Sequence, residues 1–326
     1  MSQLCSVVCL AYNHERFAKA ALNSIYRQSW PDTEIVVVDD GSTDGTVDVV
    51  RETFRDSPYP TTLITQRNTG NVPQNFNRGL GQAAGASVMF LSLDDMLLPG
   101  CIDSRMSLLQ SDRQMAFVAD VGYREIDERG SVVLEAGVMP IAAYEVQQAA
   151  DLLEAEYQTI GSLYIQGQVF RRAIIDAIGG FDETMTGDDI VLRTKLFRYL
   201  VEHPDLGFQI GQQIVFAYRK HGQNLHKKFL RQFQTVVEWK GRFFPDRPYP
   251  GIFFDWLDNF FWAWVAGNAS EAELSGTLAL DPVIAEHYGA FRSKPKVRRK
   301  LFQRRIRAVL GGGRSRRKLN NSSPAR

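Results

Sequence analysis

Two pairs of adjacent carboxylates close apolar runs in this chain. Asp39-Asp40 follows Glu34-Ile35-Val36-Val37-Val38, and Asp94-Asp95 follows Val88-Met89-Phe90-Leu91-Ser92-Leu93. Neighbouring carboxylates are hard to ionise together unless a cation lies beside them. A divalent metal carrying a diphosphate would supply that charge, since such ions take only a few protein carboxylates and keep water or phosphate oxygens as further ligands. A third pair, Asp188-Asp189, follows Gly187 and opens a segment with apolar positions at 190, 191, 192, 196 and 197. A carboxylate at a helix N-terminus is stabilised by the dipole and held rigidly, which suits a base. For each pair the bland reading is a turn or helix cap without chemistry. Two acidic pairs at strand ends that face one edge argue against it.

The elements that must carry these groups alternate. Ser6-Val7-Val8-Cys9-Leu10 reads as a first strand, with Ala11-Tyr12-Asn13-His14 as its exit loop. Phe17, Ala21, Leu22 and Ile25 fit a covering helix. The second strand ends in Asp39-Asp40-Gly41-Ser42-Thr43-Asp44, and a third spans Thr61 to Thr65. A helix from about Pro73 to Ala84 leads into the Asp94-Asp95 strand, and Pro99 is expected in the first turn of the helix after it. This alternation predicts a mostly parallel sheet covered on both faces. In such sheets ligands lie at the carboxyl ends of the strands, where both acidic pairs fall. Met115 to Tyr123 and Ser131 to Glu135 predict a hairpin, 144 to 157 a helix, and Phe208 to Tyr218 a strand that leads into Arg219-Lys220-His221 and Asn224.

With 326 residues, 44% hydrophobic and 23% charged, the chain has a globular composition and room for a large core. No apolar stretch approaches the roughly 20 residues of a membrane span. The first strand is expected to start by Cys5, which would leave no room for a signal peptide. Cys5 and Cys9 sit about 13 Å apart at strand rise and cannot pair; together with Cys101 they fit a reducing cytoplasm. The net charge of +1 hides an asymmetry: 14 of the 38 Lys and Arg lie in 291–326, leaving 24 basic against 37 acidic groups before it. Phe302, Ile306, Val309 and Leu310 recur at helical spacing among those cations, as in a helix on an anionic membrane surface. The glycine triplet at 311–313 begins a stretch expected to be disordered. From Phe253 to Trp264 an aromatic-rich run reads as helix-bundle core, and His14, His203, His226 and His287 read as structural or exposed.

Taken in order, Val36-Val37-Val38-Asp39-Asp40-Gly41-Ser42-Thr43-Asp44, Phe90-Leu91-Ser92-Leu93-Asp94-Asp95, Gly179-Gly180-Phe181-Asp182-Glu183 with Gly187-Asp188-Asp189, and Tyr218-Arg219-Lys220-His221 with Asn224 resemble glycosyltransferase family 2, across about residues 5 to 225. The resemblance implies a GT-A fold (α/β, Rossmann-like, with a mostly parallel central sheet flanked by helices) over 1–225, followed by a helical extension over 226–290 and the basic tail over 291–326. It implies a nucleotide-sugar donor contacted by Ala11, Tyr12, Asn13, Asp39 and Asp40, with Asp40 favoured for the base, and by Asp94 at the ribose or diphosphate. Asp95 would hold Mg²⁺ or Mn²⁺, and His221 would add a ligand or touch the diphosphate. Asp189 would be the base of an inverting transfer, with Asp188 as its neighbour, where relatives usually carry Glu. Ser92 departs from the family, which often has Asp there. So does Leu10-Ala11, where many relatives have Pro or Thr.

The expected activity is metal-dependent transfer of a sugar from a UDP-sugar, or a dTDP-deoxysugar, to a saccharide or lipid-linked saccharide in bacterial surface polysaccharide or lipopolysaccharide synthesis. The expected setting is cytoplasmic, peripheral on the inner membrane face, with no nucleic acid partner. Two rivals are nucleotidyl transfer, disfavoured by the Ala11-Tyr12-Asn13-His14-Glu15 loop, and a silent nucleotide-sugar-binding scaffold, disfavoured by intact Asp95 and Asp189.

Overall fold

The computed structural model describes residues 3–222 and 229–303. Asn224, His226 and the tail beyond 303, with the expected amphipathic helix and disorder, lie outside the described residues. By contacts the chain divides into two compact units, 1–227 with 241–245, and 228–240 with 246–326.

In the first unit nine strands form one sheet: β1 Cys5–Ala11, β2 Thr33–Asp39, β3 Thr61–Thr65, β4 Ser87–Ser92, β5 Met96–Leu97, β6 Met115–Ile126, β7 Val132–Val138, β8 Val169–Arg171 and β9 Gly207–Arg219. Their order is β3-β2-β1-β4-β8-β6-β9-β5, with β7 paired outside β6. The first four strands are parallel. β1, β2 and β4 are nearly continuous runs of buried residues, as expected of strands covered on both faces. Beyond β4 the sheet is mixed: β8 runs antiparallel to β4 and β6, while β6 and β9 are parallel. The α/β architecture is therefore as expected, with its parallel character concentrated in the half that carries the acidic pairs.

Three expectations are corrected in detail. Pro99 does not open a helix: Met96–Leu97 first pairs with β9, and the helix Cys101–Ser111 starts after Gly100, which turns the chain at φ 76. The helix expected over 144–157 spans Ala149–Thr159, because Asp151 Oδ2 accepts the Gln147 and Gln148 amides and fixes its first turn. The helix from Val72 stops at Leu80 rather than Ala84, ahead of Gly81.

The register aligns the rim. Ala11 lies opposite Asp39 and Leu10 opposite Ser92, so the exits of β1, β2 and β4 share one edge. Behind that edge the fully buried Arg105 pairs with Asp120, whose Oδ1 also accepts the Gln213 amide at 2.8 Å. Removing one partner of a buried pair strands the other charge. Arg105→Ala is thus expected to lose roughly 3–5 kcal/mol in urea unfolding, and a loss below about 1 kcal/mol would contradict it.

The second unit is helical. Gly251–Ala266 buries Phe253, Leu257, Phe260, Phe261, Trp264 and Val265, so the aromatic run forms this unit's core. His287 is held by Asp258, at 2.8 Å.

Candidate active site

The exit loops of β1 and β2 are laced together before any ligand is considered. Asn13, in a left-handed conformation at φ 55, donates its amide to Ser42 Oγ and accepts the Thr43 amide on Oδ1 at 2.8 Å. The His14 amide donates to Thr46 Oγ1 at 2.7 Å. Asp39 is buried and accepts the Gly41 and Ser42 amides, so it shapes its own turn. That turn needs glycine, because Gly41 sits at φ +74 and a Cβ there would lie 2.4 Å from the Asn68 amide nitrogen.

Asp40 carries the next loop. Its Oδ1 accepts from Gln66 Nε2, the Thr69 amide and Thr69 Oγ1, and its Oδ2 accepts the Gly70 amide at 3.0 Å. Burial opposes its charge, yet bonds from Gln66, Thr69 and Asn75 outweigh burial and hold the carboxyl below its ordinary range. Most of its acceptor capacity is thus used within the protein, a burden that the sequence did not reveal. Asp40→Asn should release the loop, speeding hydrogen exchange at the Thr69 and Gly70 amides by about 10-fold. Unchanged exchange would show that other contacts hold it. Ala11 is buried and Tyr12 is exposed on the same rim.

The second acidic pair lies in the turn between β4 and β5, and β5 pairs with β9. The Arg219 amide donates to Asp95 Oδ1 at 2.8 Å, and its Nε donates to the Asp94 carbonyl at 2.8 Å. Two residues on, His221 Nε2 lies 2.9 Å from Asp94 Oδ2, and His14 Nε2 lies 3.9 Å from the same oxygen. His221 therefore meets Asp94, the carboxylate expected at the ribose or diphosphate. His14, read as structural or exposed, belongs to this site. Burial keeps the His14 ring below its usual pKa, against the pull of Asp94.

The pair divides its charge unequally. Burial opposes ionisation of Asp94, but the His221 bond and nearby His14 hold its carboxyl down. Asp95, 2% exposed, is pushed well up by burial, then by Asp94, and further by Asp189. Asp94 Oδ1 is buried without a hydrogen-bond partner. An orphaned carboxylate oxygen beside a second carboxyl that cannot comfortably ionise is what a divalent cation would satisfy, so the residues present fit one. Among the described residues no group of three or more His, Cys, Asp or Glu side chains could hold a metal ion. Diphosphate or water would have to complete its shell.

Asp189 begins the helix Asp189–Glu202, and the Asp188 side chain before it caps no amide. The Asp189 side chain keeps 22% exposure. Burial, then the neighbouring Asp188, raises its carboxyl to about 7, against the pull of Arg193. Tyr164, stacked on Tyr218 at 5.6 Å, feels both Asp189 and Asp95, which places the two acids around one space. The structure thus gathers Asp94, Asp95, His221 and Asp189, and sets Ala11, Tyr12, Asn13, Asp39 and Asp40 along the same rim. A separate cleft of about 520 Å³ lies at the start of β9, lined by Val146, Leu200 and Phe208 among others, with no ionisable side chain.

Sequence reasoning missed His14, Arg219, Glu156 and Arg193. Arg219 had a usable signal, since it ends β9 two residues before His221. Arg193 stands four residues after Asp189 on one helix face.

Residues 6–178 match the family model described as "Glycosyl transferase family 2", just over half of the chain. A Campylobacter jejuni protein, GalNAc(5)-diNAcBac-PP-undecaprenol beta-1,3-glucosyltransferase, is 27% identical over 193 residues, 59% of each chain. The chain spans between a third and three-fifths of the length of the first curated relatives it matches. Among solved structures, Staphylococcus aureus TarS 1–349 with UDP-GlcNAc superposes with a TM-score of 0.57 at 15% identity, covering 87% of this chain and 81% of that one. The mannosyltransferase PcManGT from Pyrobaculum calidifontis, with GDP-Man and Mn²⁺, gives 0.55 at 18% identity, covering 94% and 86%. At such identities these likenesses carry the fold, which is GT-A.

Proposed function

Because the chain belongs to glycosyltransferase family 2, we propose that it transfers a sugar, with inversion, from a nucleotide-sugar to a saccharide hydroxyl. The observation that carries this reading is the convergence of Asp94, Asp95 and His221 with a raised Asp189 around one space at the carboxyl edge of the sheet.

In this reading the nucleotide lies over Ala11, Tyr12, Asn13, Asp39 and Asp40, and the diphosphate over Asp94. Asp95 and Asp94 would hold Mg²⁺ or Mn²⁺, with His221 beside them. When bound, the metal supplies Lewis-acid stabilisation of the charge that grows on the departing diphosphate. Asp189 takes the proton of the acceptor hydroxyl as that oxygen bonds to the anomeric carbon, and the bond to the diphosphate oxygen breaks on the opposite side. A carboxyl near 7 is well matched to this task, because half of it is free base at neutral pH and it still binds a proton firmly. Asp188 keeps it raised.

The proposed donor is a UDP-sugar, with a dTDP-deoxysugar as the alternative. The proposed acceptor is a lipid-linked or polymeric saccharide of a bacterial surface polysaccharide or lipopolysaccharide, a choice supported by the undecaprenol-linked saccharide named for the Campylobacter relative. A membrane-facing role for 291–326 is supported by the exposed Arg292, Lys294, Lys296, Arg298, Arg299 and Lys300. No helix among the described residues is long and apolar enough to cross a membrane.

The test is turnover and binding across UDP-, dTDP- and GDP-sugars with Mn²⁺, Mg²⁺ or EDTA, with and without undecaprenol-linked acceptors. Metal-dependent consumption of one donor is expected. Failure to bind any nucleotide-sugar would overturn the reading.

A further inference from the structure

Behind Asp189 lies an ionic pair that the transfer chemistry does not touch. Glu156, fully buried on the helix Ala149–Thr159, receives Arg193 through a forked contact: Nε lies 3.2 and 3.1 Å from its two oxygens, and Nη2 lies 3.0 Å from Oε1. The Ser162 amide and hydroxyl both donate to Glu156 Oε2, locking the carboxylate from its other side. Arg193 is 4% exposed, so its guanidinium cannot drift into solvent.

Its remaining nitrogen is the informative one. Nη1 is buried, has no hydrogen-bond partner, and lies 3.5 Å from Asp189 Oδ2. That is within ion-pair range and beyond a good hydrogen bond. A guanidinium closed fully onto a carboxylate would pull it far down and spoil it as a base. One whose charge is already matched by a buried carboxylate orients its neighbour with a much weaker field.

We infer that Glu156 and Arg193 form a positioning pair for the base: Glu156 anchors Arg193 and cancels its charge, so that Arg193 orients Asp189 without quenching it. This rests on the reading of Asp189 as the base.

The other groups that face Asp189 are Asp188 before it in the chain, Tyr164, the Ile165 amide, which donates to it, and Asp95 across the space. Of these, Asp188 and Asp95 raise its proton affinity and the Ile165 amide lowers it. None changes when the pair is altered, so the pair's own effect can be read separately.

The pair makes a prediction of opposite signs. In Glu156→Gln the amide keeps the shape and an acceptor for Ser162, and Arg193 is left uncompensated. The acid limb of kcat should then move down by about one pH unit. In Arg193→Gln the cation is lost and Glu156 remains, so the limb should move up by about one unit. The double variant removes both charges and should return the limb to within about 0.3 units of wild type, with kcat still reduced about 10-fold by lost orientation. Donor KM should hold within about twofold throughout, since neither residue touches the donor.

Melting temperatures and donor binding identify folded variants, and if Arg193→Gln does not fold, Glu156→Gln and the double variant carry the test. A folded single variant whose limb stays at the wild-type position would overturn the inference, as would a folded double variant whose limb stays displaced or losses of kcat matched by equal losses of donor affinity. If Asp189→Asn retains wild-type kcat, the base assignment itself fails, a result distinct from either.

Discussion

Asp189→Asn is expected to lower kcat by roughly 10²–10⁴-fold while donor affinity stays within about twofold. The amide preserves the shape at the start of the helix but cannot accept the acceptor's proton. In the wild type, kcat should rise with pH through about 7 and then level off, because only the ionised carboxyl is a base and burial beside Asp188 raises it to that value. The variant should lose this limb along with its rate. Asp188→Asn should keep most of the rate and move the limb down, since it removes the neighbouring charge and leaves the base. This contrast separates the base from its neighbouring carboxylate. If Asp188→Asn were the inactive variant and Asp189→Asn retained the pH limb, the assignments would have to be exchanged. The measurement is single-turnover transfer with saturating acceptor, so that product release does not mask the chemical step.

Which features could be read from residues alone follows from how local each one is. The acidic pairs share an edge because β1, β2 and β4 are parallel, and parallel strands buried on both faces announce themselves as unbroken apolar runs. The register itself, Ala11 opposite Asp39 and Leu10 opposite Ser92, comes only with the structure, since it joins segments separated by crossover connections. Asp40 shows the limit. Its type and place suggested a ligand contact, yet its carboxylate gathers Gln66, Thr69 and Gly70, residues some thirty positions away whose approach depends on the loop after β3. His221 was recognised with two roles open, beside the metal or at the diphosphate, and its place against Asp94 appears only once Met96–Leu97 pairs with β9. Two-residue strands leave almost no pattern. Glu156 was invisible for the same reason: a glutamate on an amphipathic helix is usually solvated, and its burial becomes apparent only when Arg193, 37 residues on, is brought against it.

Asp95→Asn should separate stability from function at the second acidic pair. Asp95 is almost wholly buried beside Asp94, and its carboxyl is pushed well above the ordinary range, by burial first and by Asp94 next. A raised pKa in the folded state means that the group's contribution to stability is present below the ordinary carboxylate range. It is lost as pH rises through the raised value. Metal-free wild type is therefore strained on the alkaline side. Asparagine accepts the Arg219 amide as aspartate does and carries no charge, so the variant should melt about 2–4 °C higher than metal-free wild type at pH 8, with the gain shrinking to nothing toward about pH 4, the ordinary carboxylate value. Turnover should nevertheless fall by roughly 10²-fold or more, because the same charge would hold the cation that stabilises the leaving diphosphate. Adding Mn²⁺ with UDP should raise the melting temperature of wild type and leave that of Asp95→Asn nearly unmoved, since stabilisation follows the affinity of the folded state for its ligand. A variant that melts lower at both pH values and still turns over would make Asp95 no more than the acceptor that pins Arg219. Higher stability with lost turnover would instead identify a carboxylate kept at a structural cost, and that cost is intelligible only if a cation occupies the site during transfer.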